Sequence, residues 1–193
     1  HEHYSYLSVT ALIPLFKSHG LKIVDVEELK THGGSLRIYV AKENSHWERT
    51  DSVDSILKKE AEFDPRSNLI WKSLQEKTLN VKMDLVSELI FCKKMGLKVA
   101  AYGAAAKGNT LLNYCGIKSD LIDFVVDLNT HKQGKYLPGS SIPIVGLEHL
   151  AENTPDVLVV LPWNLSDEIK NQLSEFSQSG MRFLRAIPNL EYF

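Results

Sequence analysis

Residues 97–116 read LKVAAYGAAAKGNTLLNYCG. The short apolar run LKVAAY fits a buried strand, and the residues beyond Gly108 fit a helix, so the segment reads as strand, glycine-bearing turn, helix. The same alternation continues downstream. LIDFVVD is followed by a loop rich in Lys, Gly and Pro, then IPIV, a short helix, PDVLVVLPW, a helix over about 165–179, and MRFLRAI. Continuous apolar strands separated by helices predict a parallel sheet covered on both faces. The fold class is α/β, with a Rossmann-like domain over residues 96–193.

Working back from that segment, Ile70, Leu74, Val81, Leu85, Leu89 and Ile90 recur at helical spacing, which predicts a long helix running to Met95 and stopping at Gly96. Residues 42–66 are polar and contain Pro65, so 42–95 reads as a connector, with a short helix over 51–62, followed by that long helix. Further back, Ser8 caps a helix bearing Leu12, Leu15 and Phe16 that ends at Gly20. LKIVDVEEL and SLRIYVAK follow as two strands, and Thr31-His32-Gly33-Gly34 joins them as an antiparallel pair. Residues 1–41 are therefore a helix-strand-strand unit.

Composition narrows the function. The 22 basic and 24 acidic side chains nearly cancel without runs of one sign, which speaks against a nucleic-acid partner. No apolar run approaches the roughly 18 residues of a membrane span. The two cysteines, Cys92 and Cys115, sit in apolar helical context as core thiols do, and the expected setting is cytoplasmic.

The glycine turn fits neither of two familiar phosphate loops. Asn109 stands where a P-loop has its lysine, and Ala105 where the dinucleotide fingerprint has its middle glycine. What remains is a helix N-terminus at the carboxyl end of a parallel strand, with Lys107 beside it. On this reading Gly103, Ala104, Ala105, Ala106, Lys107, Gly108 and Asn109 hold a diphosphate. Asp127, 24 residues after Gly103 at the end of the next strand, meets a ribose hydroxyl, and Lys132 faces the same edge. The alternative is that the two glycines serve close packing and the lysines are solvated. At the N-terminus, His1, Glu2 and His3 alternate along an extended chain. A third metal ligand at useful spacing is lacking, so no metal site is assigned, and acid–base work suits a histidine better.

Four blocks, HEHYSYLSVTAL, THGGSLRIYV, YGAAAKGNTLLNYCGI and DLNTHKQGKYLPGSSIPI, occur in the order found in S-adenosylmethionine-dependent sugar C-methyltransferases, which methylate a carbon of nucleotide-linked deoxyketosugars. Together they make the chain resemble the C-terminal part of such an enzyme. The resemblance implies an enolate formed next to the ketone and methyl transfer to carbon. His3 is then the candidate base and Glu2 its orienting neighbour, with Tyr4 and Tyr6 as weaker candidates. Gly33, Gly34, Ser35 and Arg37 would line the substrate cleft, and the loop at 104–108 would hold a nucleotide-diphosphate sugar. Residues 1–41 would be the distal end of a methyltransferase domain. S-adenosylmethionine would be the cofactor of the full-length enzyme, with its site mostly outside this chain, and zinc would belong only to a segment upstream. This chain alone is expected to be inactive. Two other classes stay open: a stand-alone Rossmann-like nucleotide-binding module without catalysis, and a nicotinamide-dependent dehydrogenase, which Ala105 disfavours.

Overall fold

The structure is a computed structural model that describes residues 5–29, 31, 34–63, 67–178 and 180–193. The chain divides into two compact units, one ending at Gln75 and the other running from Glu76 to Phe193.

In the first unit, α1 (Val9–Lys17) is capped by Ser8, whose Oγ accepts the Ala11 N–H at 3.1 Å. Strands β1 (Leu21–Leu29) and β2 (Ser35–Lys42) pair antiparallel, with Leu29 opposite Ser35 at the turn end. Their register shifts between Ile23 and Asp25. The extra residue reverses the parity of the strand, so that Ile23 and Val26, three apart, both reach one core. Asp25 secures the shift by accepting the hydroxyls of Thr50 and Ser52 at 2.6 and 2.5 Å. These bonds, Ser52 foremost, hold its carboxyl below the usual aspartate range. Helix α2 (Asp51–Phe63) contributes Val53 and Ile56 to the same core, where they meet Val9. The helix expected within the polar connector is thus present and amphipathic.

Helix α3 (Asn68–Lys94) crosses the boundary between the units, and Gly96 beyond it takes φ +74°, a conformation that stops a helix. The second unit is a six-stranded sheet. Its strands are β3 (Val99–Tyr102), β4 (Val125–Val126), β5 (Ile144–Val145), β6 (Val157–Val160), β7 (Arg182–Arg185) and β8 (Glu191–Tyr192). They lie in the order β5-β4-β3-β6-β7-β8, all parallel except β8, which runs antiparallel to β7. The sheet is therefore α/β and mostly parallel, with an antiparallel last strand that NLEYF is too short to announce.

Alternation sorts the side chains into two cores. Val99, Ala101, Val157, Val159 and Leu184 pack with Leu85, Leu89 and Cys92 of α3, and with Leu111, Leu112 and Cys115 of α4 (Ala106–Cys115). Ala100, Tyr102, Leu158, Val160 and Phe183 face the other way. There they meet Leu150 of α5 (Leu147–Glu152), Ile169 of α6 (Ser166–Gln172), Leu173, and Phe176 of α7 (Ser174–Gln178). Helices thus cover both faces, as expected for a Rossmann-like domain. The helix read over 165–179 is two short helices meeting at the buried Leu173. Both rims of the sheet are finished. Beside β5, the Gly134 N–H donates to Ile144 O and the Ile144 N–H to Lys135 O, and β8 is two residues long, its Tyr192 hydroxyl bonded to Glu88 at 2.5 Å.

Candidate functional site

Strand order reverses at β3. The chain leaves β3 over one face towards β4 and β5, then returns through α5 to β6 on the other side. In open α/β sheets the crevice outside the carboxyl ends of the strands at such a point is where ligands bind. Here it lies between the residues after Tyr102 and those after Val160. The glycine turn singled out from sequence occupies one side, and Leu161, Pro162 and Trp163 the other.

Gly103 has φ +90°, and a Cβ placed on it would come within 2.5 Å of the Pro162 ring. The helix begins at Ala106, two residues before the expected start, so Gly108 sits in its first turn rather than in the loop. Gly108 belongs to a buried stripe with Leu111, Leu112 and Cys115, and a Cβ there would lie 2.6 Å from that of Leu161. Packing therefore demands both glycines. That requirement leaves the other feature intact: no side chain caps α4, whose first hydrogen bond is from Asn109 N–H to Ala105 O, so its earlier amides face outward from the helix end. The Lys107 ammonium lies 6.0 Å from the centre of the Trp163 ring. Asn109 Oδ1 is buried without a hydrogen bond. Trp163 escapes sequence reading because it follows β6 rather than the glycine turn.

Asp127 and Lys132 come to the same turn, but with partners already in place. One carboxylate oxygen of Asp127 accepts the Ala104 N–H at 2.8 Å and the Lys132 ammonium at 3.1 Å, and the other accepts the Asn129 N–H at 2.8 Å. Lys132 also donates to the Ala104 carbonyl at 2.9 Å. The ribose role expected of Asp127 would have to compete with these bonds.

The first unit holds a separate cleft of about 490 Å³, walled by Tyr6, Leu7, Val9, Leu12, Leu29 and Ile38 and closed by Gly34, Ser35 and Leu36. It brings the HEHYSYL and THGGSLR blocks together. His3, Glu2 and Gly33 lie outside the described residues. Arg37 falls between the two wall residues Leu36 and Ile38, and is bonded instead to Glu27 at 2.9 Å, with both side chains largely exposed. Burial raises both thiols, Cys92 and Cys115, above the usual cysteine range, which fits inert core residues rather than nucleophiles. Among the described residues no cluster of His, Cys, Asp or Glu is arranged to hold a metal, and no helix is long and apolar enough to cross a membrane.

Residues 30–188 match the C-methyltransferase C-terminal domain family. The chain belongs to that family. It is also similar to the C-methyltransferase NovU of Streptomyces niveus, with 37% identity over 188 residues, or 97% of this chain and 45% of the relative. The chain thus spans a little under half the length of that C-methyltransferase. Gly103, Gly108, Asp127 and Lys132 all fall within the span that matches the C-terminal domain.

Proposed function

We propose that this chain supplies the sugar-nucleotide-binding part of an S-adenosylmethionine-dependent C-methyltransferase, with a nucleotide-linked deoxyketosugar as substrate. The enzyme removes a proton beside the ketone and joins a methyl group to that carbon. On this reading residues 1–41 are the distal end of the methyltransferase domain, 42–95 the connector and long helix, and 96–193 the nucleotide-sugar-binding domain. His3 is the base, with Glu2 beside it, on the segment that leads into the cleft wall at Tyr6. Cytoplasmic location goes with this chemistry.

One observation carries the reading: the uncapped start of α4, with Lys107 beside it, opens at the point where strand order reverses, in a domain of a C-methyltransferase family. Outward amides and an ammonium suit the two charges of a diphosphate. The described residues do not fit the methyl donor. Its sulfonium is cationic, whereas the glycine turn carries Lys107, and the Asp127 carboxylate nearby is already paired with Lys132. Among the described residues, the one carboxylate that lines the first unit's cleft, Glu28, is ion-paired to Lys59 at 2.5 Å. On this reading the donor is held elsewhere in the enzyme.

Titration of thymidine diphosphate tests the loop. Lys107→Ala should remove one charge-assisted contact, worth roughly 1.5–3 kcal/mol, and weaken binding about ten- to a hundredfold without unfolding. Equal affinities for parent and variant, or binding by neither, would mean that the turn is built for packing alone.

A further inference from the structure

We infer that Asp127 and Lys132 are positioning residues, which clamp the backbone of Ala104 on both sides of its Cα and so fix the loop ahead of α4 without touching the nucleotide. The inference rests on the diphosphate reading of that loop. Four contacts make the clamp. The Ala104 N–H donates to Asp127 Oδ2 at 2.8 Å, Lys132 Nζ donates to the same oxygen at 3.1 Å, and Lys132 Nζ also donates to Ala104 O at 2.9 Å. Asp127 Oδ1 is taken by the Asn129 N–H at 2.8 Å. Both backbone polar groups of one residue, on the two peptides that flank its Cα, are thus held by one ion pair, and the side chain of Asp127 is left only 11% exposed.

The clamp sits where the backbone most needs it. Gly103, just before, has φ +90° and no Cβ to restrict it, and Ala106, just after Ala105, begins the helix whose first amides face the crevice. A loop left free at a glycine would lose conformational freedom each time a ligand ordered it. Holding Ala104 at both ends removes that cost in advance. The ion pair also offsets the negative charge of Asp127, which would otherwise repel a diphosphate.

The substrate consequence is specific. A carboxylate in this place commonly reads the ribose hydroxyls. Here three of the carboxylate's roughly four acceptor positions are taken by the chain itself and its side chain is only 11% exposed, so on this inference the 2′ position is not read through Asp127, and deoxyribo- and ribonucleotide diphosphates depend on it equally.

Calorimetric titration of thymidine diphosphate and uridine diphosphate into the parent chain, Asp127→Asn, Lys132→Met and Lys132→Arg, with hydrogen exchange at the Ala104 amide, tests this. Asp127→Asn and Lys132→Met should each weaken both nucleotides by about tenfold and by the same factor. Exchange at Ala104 should quicken while the amides of Val99–Tyr102 stay protected, and Lys132→Arg should recover most of the affinity. Weaker binding by Lys132→Met with unchanged Ala104 exchange would make Lys132 a direct ligand contact and overturn the inference. A changed preference between the two nucleotides in Asp127→Asn would overturn it too, as would unchanged affinity despite faster exchange. If the parent binds and Lys107→Ala does not, while the clamp variants match the parent, only the clamp fails. Absence of binding by the parent removes the diphosphate reading and the clamp's purpose together.

Discussion

At Gly108 the missing side chain is what lets α4 lie against the end of β6, since a Cβ would stand 2.6 Å from that of Leu161. The residue is helical and not among those with positive φ, so the cost of a side chain here is steric rather than conformational. Gly108→Val should lower stability by about 1–3 kcal/mol through overpacking, read as a fall in thermal midpoint, whereas Lys107→Ala beside it should leave the midpoint nearly unchanged. A valine variant as stable as the parent would show that Leu161 yields. The two readings of the turn, packing and ligand, were both legible at this scale, but not that packing claims both glycines and leaves the proposed ligand role to Lys107 and the helix amides. Gly103 and Gly108 meet Pro162 and Leu161, far along the chain, and nothing local in GAAAKGNT reveals that contact. The position of Asp127 at a strand end was legible in the same way. Its bonds to Ala104 and Lys132 were not, because they depend on how the loop after β4 folds back.

Among the elements, α1 is held by more than its own cap. The Glu60 carboxylate of α2 accepts the Val9 and Thr10 N–H groups at 2.7 Å each and the Thr10 hydroxyl at 2.5 Å. A negative charge at a helix N-terminus is favourable, and three donors share it. Glu60→Gln should therefore cost about 1–2 kcal/mol in denaturant unfolding, whereas the same change at exposed Glu62 should cost a few tenths. Equal effects at the two sites would mean that α1 does not need the charge. Sequence reading located α1, the hairpin, α3 and the five parallel strands, and set a short helix in the polar connector where α2 lies, although of the periodic residues of α3 Leu85 and Leu89 are buried while Leu74 and Ile90 are exposed. It overran where burial is not regular. The run LIDFVVD yields only two paired residues, Val125 and Val126, and no Gly or Pro announces the break at Leu173. β8 has no pattern of its own and is held by its partners, the β7 backbone and Glu88.

At the scale of the whole molecule, each unit carries its own core and its own candidate site, one a cleft at the two glycine-rich and histidine-bearing blocks, the other the crevice of a Rossmann-like sheet. The family was legible from four blocks read in order, since their spacing survives where single motifs fail, and the match over residues 30–188 agrees with it. The proposed placement of the methyl donor away from these two units makes a clear expectation. S-adenosylmethionine titrated into residues 1–193 should give no saturable heat at micromolar concentration, while thymidine diphosphate should. Saturation by the methyl donor would place its site in this chain and force the cleft or the crevice to be reassigned. The finished rims of the six-stranded sheet have a different consequence. One rim already spends its outward amide and carbonyl on Gly134 and Lys135, and the other offers two residues, one of them the charged Glu191. A stray extended chain finds no template there on which to add itself, so this unit is protected against runaway strand-by-strand growth into fibrils even where partly unfolded neighbours are abundant.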